Sequence, residues 1–248
     1  MKLKEIFDQL TYGELSQISI GGGAMGQIMQ ADYARMAAHI NLGMAALHRR
    51  FALKEGRIKI ELQPGQTRYP LLSKYAVSSR SSREPVRFIK DSAASPFLDD
   101  INKIEFVYSD IGFEYAVNNA VDQYSMTTPT QKVLEVPMAI VLSDDTCPEA
   151  MWTKSLDVVY RASPRKVGNA EGDFDPEEVE VELPETHLNA LLLFVASRIH
   201  TPVGIGGEDN TGNLYWQKYE AECDQLDQDN YEVDQGSQYN KIERNGWV

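Results

Sequence analysis

Cysteine is scarce in this chain. Cys147 and Cys223 are the only two in 248 residues, too few for a disulfide framework and without the paired spacing of a zinc site. A reducing compartment is the simple expectation. Cationic residues are also in deficit: 24 Lys and Arg face 37 Asp and Glu, a formal net charge of −13. That argues against general affinity for nucleic acid, whose phosphates require a cationic surface, but it permits a passage through which DNA slides without sticking. Long apolar runs are missing. The strongest, Ala190 to Ala196, is far too short to span a bilayer. The N-terminal Met1-Lys2-Leu3-Lys4-Glu5 is basic only briefly and no apolar stretch follows, so a secretory signal is not expected. The chain reads as soluble, with no membrane partner.

Signatures of catalysis and of metal or cofactor binding are equally thin. None of His39, His48, His187 and His200 has a carboxylate or cysteine at i+3 or i+4, so they read as core or surface histidines and not as metal ligands. Asp99-Asp100 and Asp144-Asp145 lack the alternating oxygen spacing of a calcium loop and read as turns. Gly21-Gly22-Gly23-Ala24-Met25-Gly26 satisfies the G-x-G-x-x-G pattern, but the preceding Ile18-Ser19-Ile20 is barely a strand. No acidic residue ends a strand about twenty residues further on. A helix-to-helix connection is the better reading, and a nucleotide-binding enzyme is kept as the alternative. No catalytic, cofactor or metal residue is assigned. No repeat of solenoid or propeller period occurs.

What is present is helical pattern at both ends. Leu3, Ile6, Phe7 and Leu10 predict a short helix over 2–11. Met36, Ile40, Met44, Leu47 and Phe51 form one stripe of a long helix over 27–54, with Ala37 and Gly43 allowing a neighbour to approach closely. Gly56 reads as its C-terminal stop. Towards the other end, residues 184–200 form an arm that is apolar on nearly every side, followed by a glycine turn and a helix from Asn213 to about Leu226. Such an arm must be covered on most sides. The 27–54 helix supplies part of the cover, with Leu191, Leu192, Val195 and Ile199 facing it, and copies of the chain could supply the rest.

Between the helices the period changes to two. Ile58, Ile60 and Leu62 alternate with Arg57, Lys59 and Glu61, a half-buried strand. Residues 104–108 and 113–118 flank a turn and predict a hairpin; residues 132–137 and 155–161 predict two more strands. The fold class expected is α+β: a helical bundle (1–56 and 183–227) with an inserted antiparallel β-rich module (57–182) and an extended C-terminal arm (228–248). That arm is too polar to fold by itself. Its Tyr231, Tyr239, Ile242 and Trp247 suit anchoring in a partner, so it is expected to be mobile in the isolated subunit and ordered in an assembly. Trp216, Tyr219, Cys223 and Leu226 share one face of the last helix, which reads as core packing or as a seam between subunits.

Charge is unevenly placed. Residues 49–90 carry eleven Lys and Arg against three acids, a net of +8. Residues 171–185 carry eight acids and no base, and residues 206–248 ten acids against three bases. Within the basic segment, Arg80, Arg83 and Arg87 lie in a serine-rich stretch that reads as an exposed β-loop meeting phosphate or an acidic partner, or as an ordinary mobile loop. The acidic and basic segments of two copies could face each other, or be solvated surface.

The order of elements (helix, long helix, β insertion, apolar helix, glycine turn, aromatic helix, acidic tail) resembles the head-to-tail adaptor, or connector, proteins of short-tailed bacteriophages, the T7-type tubular adaptor family. Local texts are similar too: Ile104 to Asn118, Leu156-Asp157-Val158-Val159-Tyr160-Arg161-Ala162-Ser163-Pro164, and Leu183-Pro184 through Arg198 with Pro202, Asn213 and Tyr219-Glu220. The resemblance spans most of residues 57–226, and the glycine run at 21–26 lies outside it. It implies a virion structural protein without enzymatic activity: a homo-oligomeric ring, usually of twelve copies, docked under the portal protein at the head–tail junction and formed in the host cytoplasm. The C-terminal arm would engage the portal, the far face would receive the tail nozzle, and DNA would pass through the lumen. Trp216, Tyr219, Tyr231, Tyr239, Ile242 and Trp247 are the candidate subunit or portal contacts. A generic protein-binding module is the further alternative.

Overall fold

A computed structural model describes residues 1–17, 20, 26–79, 83–142, 153–169, 173–200 and 211–229. The chain combines α-helices with antiparallel sheets and divides into two compact units. One comprises Met1–Leu53 with Pro164–Val248, the other Lys54–Ser163.

In the first unit, helix α1 spans Leu3–Tyr12 and buries Leu3, Ile6, Phe7 and Leu10, the i, i+3, i+4, i+7 set that puts four side chains on one face. Its first-turn amides lack intrahelical acceptors. Leu3 N donates to Val179 O at 3.0 Å and Lys4 N to Pro176 O at 3.1 Å. Val181 N donates to Met1 O at 3.0 Å, and Lys2 pairs with Glu180. Residues 164–182 therefore belong with the helices, not with the β insertion in which the sequence pattern put them. The segment also crosses helix α2 (Tyr33–Arg50), where the Asn41 amide group donates to Val167 O at 3.0 Å and accepts from Val167 N at 2.8 Å. Its polar, acid-rich composition hides this role because the attachment runs through backbone groups.

Helix α2 is shorter at both ends than the expected 27–54. Gln30–Asp32 form a 3-10 turn, and Phe51 is extended. Met36, Ile40, Met44, Leu47 and Phe51 are all fully buried. Gly56 stops no helix: it lies in strand β1 (Glu55–Glu61) opposite Tyr160, whose ring atom Cζ would sit 2.4 Å from an added Cβ.

Helix α4 (Leu188–Ile199) buries eight consecutive residues, Ala190 to Ser197. Helix α1, helix α2 and helix α5 (Thr211–Asp229) pack against it. Gly43 permits the closest approach: a Cβ there would stand 2.6 Å from Leu191 Cδ1 and 3.0 Å from Phe194 Cδ1. Leu191, Leu192 and Val195 are buried as expected, while Ile199 is half-buried. The cover that the sequence argument sought in other copies thus comes from the chain itself.

The second unit is built on a five-stranded antiparallel sheet. Its strands are β1, β3 (Ile89–Lys90), β4 (Ile101–Ser109), β5 (Glu114–Tyr115) and β8 (Ser155–Ala162), in the order β3-β1-β8-β4-β5. Strands β4 and β5 form the expected hairpin, with Gly112 at φ +86° in its turn. A smaller sheet, β2 (Arg68–Pro70), β7 (Val133–Glu135) and β6 (Thr127–Thr130), and a one-turn helix α3 (Met138–Leu142) complete it. Ile58, Ile60, Tyr69, Phe88, Val107, Tyr115, Leu156, Val158 and Tyr160 share its core. Asp99 and Asp100 act as loop staples, as a turn reading requires. Asp99 accepts from Ser73 N at 2.6 Å, and Asp100 from the Tyr160 hydroxyl at 3.0 Å. Asp144-Asp145 lie outside the described residues.

Two measurements check this packing. Leu191→Ala should cost roughly 2–5 kcal/mol in chemical denaturation, the range for truncating a buried leucine that the surroundings cannot collapse around. A loss within about 0.5 kcal/mol, the range of surface changes, would contradict the burial. The second concerns pH. His187 is fully buried against the edge of Phe51, 4.8 Å between centroids. Burial first, and then neighbouring His48, holds its pKa below the ordinary histidine value of 6.5. The unfolded chain therefore binds a proton that the folded chain resists, so stability is full above pH 6.5 and declines below it. Melting temperature against pH should show that acid limb, and His187→Phe should flatten it.

Candidate functional site

Helix α5 carries the aromatic face singled out in the sequence, and the structure divides it. Tyr219, Cys223 and Leu226 are buried against α4. Tyr219 is thus unavailable as a subunit or portal contact; its ring packs edge-on against Phe194 at 5.3 Å. Burial pushes the Cys223 thiol up to about 11, so it is a packing group and not a nucleophile. Trp216 differs. It lies over Phe194 at 6.1 Å and Tyr219 at 5.2 Å, yet it is 44% exposed.

Trp216 belongs to the row of α5 that meets α2. Leu42, Ala46 and Arg50 recur every four residues on α2, as Trp216, Glu220 and Asp224 do on α5, so each set forms one row along its helix. The Arg50 guanidinium bonds Glu220 at 3.0 Å, Asp224 at 2.5 Å and Asp227 at 2.8 Å. The two rows therefore face each other at their C-terminal ends. Between their other ends lies Phe194, in contact with Trp216 and close against Gly43, the residue beside Leu42. Leu42 is 50% exposed. The exposed Leu42 and Trp216 and the carboxylates of Glu220 and Asp224 that share Arg50 thus lie on these two rows, with the buried Phe194 between Gly43 and Trp216. Desolvation opposes the Arg50 charge, but hydrogen bonds with Asp227 and Asp224 outweigh it and raise its pKa. One cation serves three carboxylates there. Sequence reading missed this network, although the i, i+4, i+7 spacing of Glu220, Asp224 and Asp227 and the basic end of α2 were visible.

The basic loop lies in the other unit. Arg80 is outside the described residues. Arg83 is exposed; Arg87 is half-buried and donates to Val77 O at 3.4 Å. The loop stands on a fixed base: Val77 N donates to Ile89 O at 3.0 Å, and Ser78 N to Asp91 Oδ1 at 2.8 Å. Val77 and Val86 beside the arginines are 45% and 41% exposed.

Tyr231, Tyr239, Ile242 and Trp247 lie outside the described residues, as do Gly21 to Met25. Gly26 is described: at φ +75° a Cβ would stand 2.7 Å from Thr11 O, so glycine is required where the chain passes the end of α1. The helix after it begins only at Tyr33, so the glycine pattern does not open directly onto a helix N-terminus as phosphate binding would need. Among the described residues no group of three His, Cys, Asp or Glu is placed to hold a metal ion, and no helix is long and apolar enough to cross a membrane. No protein-family model matches the chain, and no curated protein matches it.

Arg50→Ala should cost roughly 1–3 kcal/mol, the range for hydrogen bonds to charged groups in a partly buried network, because three carboxylates on α5 lose their counter-charge. Denaturation in low and high salt checks the origin: added salt should recover part of the loss by screening the remaining repulsion.

Proposed function

We propose that this chain is a virion structural protein, a head-to-tail adaptor. Copies assemble into a ring between phage portal and tail, and DNA passes through the lumen. The observation that carries the reading is the order of elements: both ends of the chain contribute helices to one unit, and the β unit is inserted between them. In its finer form the fold is a helical bundle with a β module inserted and a C-terminal arm that follows α5, two residues later than the expected start at 228. The resemblance of residues 57–226 to T7-type adaptors supplies the rest: a ring usually of twelve copies, a portal above, a nozzle below, and no enzymatic activity. A net charge of −13 suits a passage that must not retain DNA. The exposed Trp216 and Leu42 offer a contact surface of the kind that anchors partners.

The test is direct. The purified chain is mixed with the portal protein of the same phage and examined by sedimentation and negative stain. The expected product is a ring with a central hole seated on the portal. Deleting 230–248 should leave the melting temperature unchanged and abolish docking. Failure of the full chain to bind the portal, together with thermal stabilisation by a nucleotide, would favour the enzyme alternative.

A further inference from the structure

We infer that Arg35, His39 and Arg198 form a binding site for a phosphate group. The site does not rest on the adaptor reading. Packing of α2 against α4 brings the three residues together. Gly43 of α2 lies close against Phe194 of α4, and Phe51, just past α2, meets His187, just before α4. The two helices therefore run antiparallel. Arg35, His39 and Gly43 recur every four residues on α2, as Phe194 and Arg198 do on α4, so each set forms one row along its helix. Four residues back from Gly43 and four residues on from Phe194 are the same step along the pair, about 6 Å. His39 thus stands level with Arg198, with Arg35 one turn beyond it. Burial first, and then the positive charges of Arg35 and Arg198, hold the His39 pKa below the ordinary histidine value of 6.5.

This cationic cluster has no counter-charge. Arg35 and Arg198 are exposed, and neither has an ionic partner among the described residues. His39 is half-buried, and its Nδ1 is shielded from solvent without a hydrogen-bond partner. Arg198 ends α4, where the helix dipole favours a cation. Arg35 lies in the first turn of α2, where the dipole favours an anion, and that turn holds no acid. Asp32, just before α2, is buried and forms no ion pair among the described residues. Helix α4 carries no charged residue besides Arg198, and the other cationic or titratable side chains of α2 from His48 onward lie more than two turns from His39. Two guanidinium forks and an imidazole N–H suit an oxyanion with several oxygens. A phosphate, with more oxygens than a carboxylate and up to two charges, fits this donor set better. Its arrival supplies an anion beside His39 and favours the protonated ring.

The full chain is titrated with inorganic phosphate at constant ionic strength while NMR follows the His39 ring, assigned by its loss in His39→Gln. Acetate is the carboxylate control, and His187 at the other end of α4 is the internal reference. Phosphate should shift the His39 signal saturably and raise its pKa, with a weaker response to acetate and none at His187. Arg35→Gln and Arg198→Gln should each weaken binding roughly tenfold or more, as for loss of a hydrogen bond to a charged group. The double variant should abolish it. Both side chains are exposed, so melting temperature should stay unchanged. Without phosphate, each variant should also raise the His39 pKa, because a neighbouring cation is lost. A His39 pKa that neither variant moves shows that the three residues do not face one another and overturns the inference. So does a His39 signal that phosphate leaves in place, or one that responds equally in the double variant. An equal response to acetate assigns the site to carboxylates and refutes a phosphate site. A short single-stranded oligonucleotide distinguishes the sources. Competition with inorganic phosphate at far lower phosphate concentration identifies the group as a DNA phosphate; no competition identifies it as free phosphate.

Discussion

A helix that is apolar on every side survives in water only when neighbours surround it, and α4 is such a helix. Eight consecutive buried residues leave it no solvent face between Asn189 and Arg198. Meeting that demand within one chain brings α1 and α2 from the beginning of the sequence and α5 from its end to the same place. The intervening residues must then leave the helical unit and come back to it. The β unit makes that possible because its first and last long strands pair antiparallel. Glu55 lies opposite Arg161, and Ala162 N donates to Lys54 O at 2.8 Å. Exit and re-entry are side by side, and the inserted unit keeps a core of its own.

How much of this was legible depends on whether side-chain periodicity or backbone bonding did the work. The stripe Met36-Ile40-Met44-Leu47-Phe51 and the run from Ala190 describe their own burial, because each residue's place is set by the helical repeat. The β4–β5 hairpin was legible for the same reason, with Gly112 marking its turn. Segment 164–182 was not. It attaches to α1 through the carbonyls of Pro176 and Val179 and to α2 through the backbone of Val167, and backbone groups are the same in every sequence. Gly56 misled for a related reason. A glycine after a helical stripe reads as a stop, but here it clears space for Tyr160 across the sheet.

The candidate site shows a similar division. Trp216 and Tyr219 are three residues apart on one helix, and the sequence treats them alike. Their fates differ because α4 meets α5 along the row that includes Gly212, Tyr219, Cys223 and Leu226, which leaves Trp216 at the margin. Arg50 closes one end of that margin. Its partners could not be chosen from sequence, since many acids were equally available to it.

The uneven charge of the chain also resolves into specific local partners. Part of the acid block at 171–185 serves the start of α1, where Glu180 meets Lys2 near the positive end of the helix dipole. In the basic block, Lys90 pairs with Glu61 at 2.7 Å and Lys74 with Glu84 at 2.7 Å. Those two exposed pairs lie within the block, leave its +8 unchanged and carry small energetic weight; Arg50, Lys54 and Arg68 pair with acids outside it. Arg57, Lys59, Arg83 and Lys154 on the β unit are exposed without ionic partners among the described residues, while three carboxylates on the helical unit share one arginine. Since α4 is already covered by its own chain, its apolar surface is not left over for a further contact.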